Sequence, residues 1–298
     1  MILSKPSSLL RSTRLDADAL TARALGALAV GAVLLLALVL GFLAREAAPV
    51  LTPHGLARFV ASDGWFPLEQ RLGLLPMVWA TLVAALGALL LAAPLGLGVA
   101  VFVCFYADAA TARALRLLLA LLAGIPSVVF GLWGLTVLVP LIARWQPPGA
   151  SLLAATLILA LMVVPTVALT SASALAAVPQ PLLRGAAALG LSPVGSILGV
   201  ALPAARPGIV GGLVLAMARA LGETMAVLMV AGNVVQTPAS VFDPVRVLTA
   251  NIALEMAYAT GEHRAALFAS GLLLGVLVLV LVLAAAAARM PRGGAGVQ

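Results

Sequence analysis

Two charged residues, Arg219 and Glu223, stand in an otherwise apolar stretch of this 298-residue chain, within ARALGETMAVLMVAGN. Charges at bilayer depth are expensive, so they mark a functional site. Four residues apart on a helix, the two share a face and are close enough to pair. Two roles are open to them. One is a salt bridge that only orders the surrounding helices. The other is an anion path, in which the planar fork of Arg219 donates to an oxyanion. Glu223 would then weaken that hold, because conduction needs a site the ion can leave. Thr224, next in the chain, is the third candidate for the path. No catalytic residue is expected.

A second stretch precedes the first. Gly190 is followed, after nine residues, by Val200-x-Leu202-Pro203. This spacing resembles the cytoplasmic loop by which permeases of ABC importers dock on their ATPase. The resemblance implies that Gly190, Leu191, Ser192, Pro193, Leu202 and Pro203 couple to such a subunit. The Glu-Ala-Ala start of that loop is absent; Arg184, Gly185 and Ala186 stand in its place. A short coupling helix is expected near Gly190–Pro193. Gly190 would allow close backbone approach, and Pro193 fits a first helical turn.

Composition limits what these residues can serve. The chain is 63% hydrophobic and 9% charged, with a mean hydropathy of +1.20. Soluble domains have about 45–50% apolar and about 25% charged residues. This is a polytopic membrane protein that meets the lipid bilayer along most of its length. Its net charge of +7 does not point to nucleic acid, because the basic residues are scattered and aromatics are only 5%. A positive-inside bias accounts for the excess. The lone Cys104 reads as a small apolar side chain. His54 and His263 are far apart, so no metal site is expected, and no cofactor either. Lys5 is the only lysine. A Walker A loop needs a lysine after its glycine-rich turn, so any ATP hydrolysis belongs to another polypeptide.

Apolar runs divide the chain into six expected spans. Residues 1–23 form a basic tail, 24–45 the first span and 46–75 an exposed segment of mixed charge. Residues 76–289 hold five more spans, near 76–104, 117–143, 151–172, 208–232 and 264–288, with a loop at 173–207. Residues 290–298 form a second tail. Basic residues concentrate in both tails and in the segments 105–116 and 173–207, which puts both termini in the cytoplasm. Small residues recur every four positions from Gly208 through Gly212, Ala216, Ala220, Thr224 and Leu228 to Gly232. Such a seam lets membrane helices approach closely, either within the chain or against a partner permease.

With these residues in view, the chain resembles the PstC family of phosphate-specific ABC transporter permeases. The likeness rests on AGIPSVVFGLWGL (123–135), RALGETMAVLMVAGN (219–233), LTANIALEMAYA (248–259) and FVASDGWFPLEQRLGLLP (59–76). It implies an all-α membrane protein with the type I ABC importer permease fold, in a bacterial inner membrane. It further implies inorganic phosphate as cargo, a second permease of the PstA type, two ATPases of the PstB type and a periplasmic binding protein of the PstS type. The family's intramembrane arginine and glutamate fall on Arg219 and Glu223. Two other readings stay open: a permease of the same fold for molybdate or sulfate, and a carrier working alone.

Overall fold

A computed structural model describes residues 8–54, 59, 64–69 and 71–289. Residues 1–7 and 290–298 of the expected tails, and most of 55–63, lie outside the described residues. Helix α1 (Ser8–His54) runs past the expected 24–45 span at both ends. A two-stranded antiparallel hairpin follows, β1 (Trp65–Phe66) and β2 (Arg71–Leu72). Then come α2 (Leu75–Phe105), α3 (Ala109–Gly124), α4 (Ser127–Ala143) and α5 (Leu152–Ala176). The chain continues through α6 (Gln180–Ala188), α7 (Pro193–Gly222), α8 (Met225–Val230), α9 (Leu248–Glu255) and α10 (Gly261–Arg289).

Five of these helices are long and apolar enough to cross a membrane, and α3 with α4 makes a sixth crossing if taken together. The expected single span at 117–143 is thus two helices, bent by 89° at Ile125–Pro126. Proline has no N–H to continue α3 and disfavours helical backbone in the residue before it. The pair nonetheless joins opposite ends of the molecule. The turn before α3 follows the end of α2, where Phe105 and Tyr106 adjoin Leu183 and Pro193. Past α4, Ser151 N–H donates to Val230 O and Leu152 N–H to Asp243 O at the far end.

The centre is α2, α5 and α7, packed through Ala85, Ala92, Val163, Val167, Ala216 and Ala220. Helix α10 lies against α7, and α1 lies against α10, with Phe42 and Phe268 edge to face at 5.8 Å. The small-residue seam packs inside the chain. A Cβ on Gly208 would lie 2.6 Å from Ala174 Cβ, and one on Gly212 would lie 2.0 Å from Thr170 Oγ1. At Gly208 and Gly212 the seam therefore closes α7 onto α5. Overpacking of this kind costs about 1–3 kcal/mol. Gly212→Ala is expected to lower the temperature at which the purified protein aggregates in detergent. Gly31→Ala, where a Cβ meets nothing within 4 Å, should not.

Helix α7 begins fifteen positions earlier than the expected 208–232 span. It accommodates Pro203 through a π turn over Ile197–Ala201, in which Leu202 N–H reaches back to Ile197 O. A proline ring clashes with the carbonyl four residues back, and the wider turn makes room for it. The same device precedes Pro140, where Val139 N–H reaches Gly134 O. The expected 173–207 loop is accordingly mostly helix.

Candidate translocation site

Helix α7 stops at Gly222. Glu223 takes extended backbone, φ −69° and ψ 129°, and the chain re-enters helix as α8. This break separates the two charges. The expected pairing of Arg219 with Glu223 is not formed, because the four-residue helical spacing does not continue through Glu223. Half-buried Arg219 donates from Nη1 to Thr166 Oγ1 of α5 at 3.2 Å. No ion pair involves it among the described residues. Leu215, one turn earlier, is 56% exposed, so Arg219 lies at the margin between the α5 contact and an open face of α7.

Glu223 has a separate set of partners. Its Oε1 accepts from Ala226 N–H at 3.3 Å, in the first turn of α8. A carboxylate is favoured there by the unpaired N–H groups of the helix start. Its carbonyl accepts from Thr249 Oγ1 of α9 at 2.8 Å. Thr224 Oγ1 donates to Gly222 O at 3.4 Å, closing the turn locally. Thr81, Leu159, Val227 and Val247 wall the inner side of the break, leaving no room for a water molecule. An arginine with one neutral partner and a glutamate held by a helix start thus stand on either side of interrupted backbone. Thr166 engages one of the five N–H donors of the guanidinium, so Arg219 has donors left for an anion.

The second candidate surface is the turn from α6 to α7. Gly190 has φ +79°; its N–H donates to Ala187 O, and Leu191 N–H donates to Ala186 O. This pair of bonds closes a helix whose terminal residue must be left-handed, which favours glycine. Ser192 then caps α7, its Oγ accepting from Gly195 N–H at 3.1 Å, with Pro193 at the first helical position. The expected short helix near Gly190–Pro193 is instead a turn, between α6, which ends at Ala188, and α7, which begins at Pro193. A Cβ on Gly190 would meet nothing within 4 Å, so glycine serves the backbone angle and not close approach. Leu182, Leu189, Val194 and Leu198 are exposed around this turn, Leu189 at 83%. Leu202 and Pro203 are set apart from it, inside α7 and about 15 Å along the axis at 1.5 Å per residue.

A third cluster escapes sequence reading. Glu255, at the end of α9, is buried, and both its oxygens are engaged. Arg246 Nη1 donates to Oε1 at 2.6 Å, and Trp65 Nε1 donates to Oε2 at 2.6 Å. His263 Nε2 donates to the same Oε2 at 2.8 Å. The partners lie 9, 190 and 8 residues away, so no local pattern announces them. The one available signal is a glutamate within an apolar run, LTANIALEMAYA.

Crossing helices, a charged break in one of them and an exposed apolar turn at the other end of that same helix are the parts of a membrane transport permease. A family model for the binding-protein-dependent transport system inner membrane component matches residues 92–290. A phosphate transport system permease protein PstC of Mesorhizobium japonicum is 32% identical over 241 residues, 74% of this chain and 74% of its own. The probable ABC transporter permease protein YqgH of Bacillus subtilis is 36% identical over 242 residues, 79% of this chain and 76% of its own. Among solved structures, a bacterial ABC transporter involved in alginate import aligns with a TM-score of 0.64 at 16% identity, over 94% of this chain and 100% of that one. The MetNI methionine transporter aligns with a TM-score of 0.59 at 22% identity, over 72% and 94%. These two likenesses show the type I importer permease fold. The chain belongs to the binding-protein-dependent inner membrane permease family, in its PstC branch.

Proposed function

We propose that the chain is the transmembrane permease subunit of an ATP-driven importer of inorganic phosphate and forms half of its translocation pathway. The observation that carries this reading is Arg219, a cation in an apolar helix long enough to cross a membrane, without a carboxylate partner among the described residues, in a PstC-type chain. In the pathway Arg219 binds the anion, Glu223 limits retention, and Thr224 supplies a hydroxyl beside the break. Gly190, Leu191, Ser192 and Pro193 form the turn that docks on a PstB-like ATPase, with Leu202 and Pro203 setting the course of α7 behind it. A PstA-like permease completes the pathway, a second PstB-like ATPase serves it, and a PstS-like protein delivers phosphate from the periplasm. Both termini are cytoplasmic, which agrees with the distribution of arginines.

Membrane vesicles carrying the chain and its candidate partners should take up radiolabelled phosphate only when the ATPase is present. Uptake without any ATPase would identify a carrier. Transport of molybdate or sulfate in preference to phosphate would keep the fold and change the cargo.

A further inference from the structure

The two stretches 219–233 and 248–259 are joined in space by a closed ring of hydrogen bonds. Starting from Glu223, the backbone runs through α8 to Asn233, which has φ +57°. Asn233 Nδ2 donates to Leu228 O at 2.7 Å and so secures the far end of α8. Asn233 O accepts from Arg246 Nε at 2.9 Å, and Arg246 Nη1 donates to Glu255. From Glu255 the ring returns along α9 to Thr249, whose hydroxyl holds the Glu223 carbonyl. Both ends of α8 are therefore tied to one buried carboxylate. That carboxylate is itself fixed from outside the ring by Trp65 of the hairpin and His263 of α10.

We infer that Glu255 is a positioning residue for the break, holding Glu223 and Thr224 in place through α8 and α9. The inference rests on the reading of that break as the translocation site. A short helix such as α8, with only six residues, has little stability of its own. Its orientation is set by what grips its ends. Glu255 reaches the N-terminal end through Thr249 and the C-terminal end through Arg246 and Asn233. Loss of the carboxylate frees both grips together, while loss of the Thr249 hydroxyl frees one. Charge pairs and their bonded neighbours act as units, so their effects do not add.

Two readouts test this in the complete transporter. The first reads the break without reference to cargo, as the rate at which Thr224→Cys, in a Cys104→Ala background, reacts with a small thiol reagent. Glu255→Gln and Thr249→Val should each change that rate at least about fivefold. The second is phosphate imported per ATP hydrolysed, which does not depend on the amount of assembled protein. Both variants should lower it. Thr249→Val, nearly isosteric, serves if Glu255→Gln does not assemble. Unchanged thiol reactivity with unchanged import per ATP would overturn the inference. If the unmodified complex imports no phosphate, the pathway reading fails, and the thiol rate alone then decides the role of Glu255.

Discussion

Arg219→Gln is expected to abolish phosphate uptake while the protein stays folded in the membrane. A charge in a membrane-crossing helix is costly to insert, about 2.5–3.5 kcal/mol at a helix centre on insertion scales, so its removal eases insertion. The structure removes the main objection, which is an orphaned glutamate. Glu223 is bonded to Ala226 N–H and does not depend on Arg219. Glutamine is too short to keep the bond to Thr166 Oγ1, but α5 and α7 stay packed through Gly208 and Gly212 and need not part. Nor can glutamine keep the charge. Hydrogen bonds to charged groups contribute about 1.5–3 kcal/mol, a factor of at least about tenfold in transport per site. Uptake of labelled phosphate, normalised to permease in the membrane, measures it. Normal uptake by Arg219→Gln would remove this residue from the path. Glu223→Gln should behave differently, slowing release of bound phosphate more than its capture.

The second large effect is expected at the turn between α6 and α7. Gly190→Val should leave ATP hydrolysis by the complex running while phosphate uptake falls. A left-handed L-residue costs about 1–2 kcal/mol, and β-branching makes valine a poor occupant of φ +79°. The two bonds to Ala186 and Ala187 would yield first, releasing α6 from its set angle to α7. Gly190→Asn is the control, since asparagine enters that region more readily. It should retain most coupled transport. Coupled transport by the valine variant at the normal level would place the ATPase contact elsewhere.

How much of this was legible in the sequence differs from element to element. The α6–α7 turn is written locally: a glycine that can be left-handed, a serine cap and a first-turn proline lie within four residues. The long apolar runs yielded the crossings for the same reason, since each run is its own signal. The break after Gly222 was not legible. Apolar residues continue through it to Ala231, and an isolated glycine inside a helix costs only about 1 kcal/mol. What holds Glu223 out of the helix is a hydroxyl 26 residues away, on α9. Helical spacing therefore predicted an Arg219–Glu223 pair that the folded chain does not make. The start of α7 was missed through its prolines. Pro203 and Pro207 read as punctuation, yet the π turn at Ile197–Ala201 absorbs the first of them without ending the helix.

The length of α7 has a mechanical consequence. Its 30 residues run unbroken from the Ser192 cap to Gly222, a rod of about 45 Å at 1.5 Å per residue. The exposed turn and the charged break are its two ends. Pivoted near its middle, where Gly208 and Gly212 press on α5, the rod is a first-order lever. A tilt of about 10° would carry each end through about 4 Å in opposite directions, for arms of half that length. That is comparable to the spacing of one hydrogen bond with its neighbour, enough to trade the Arg219–Thr166 contact for another. The glycines at the fulcrum, which bring the two helices close, also leave few side-chain knobs to lock the angle.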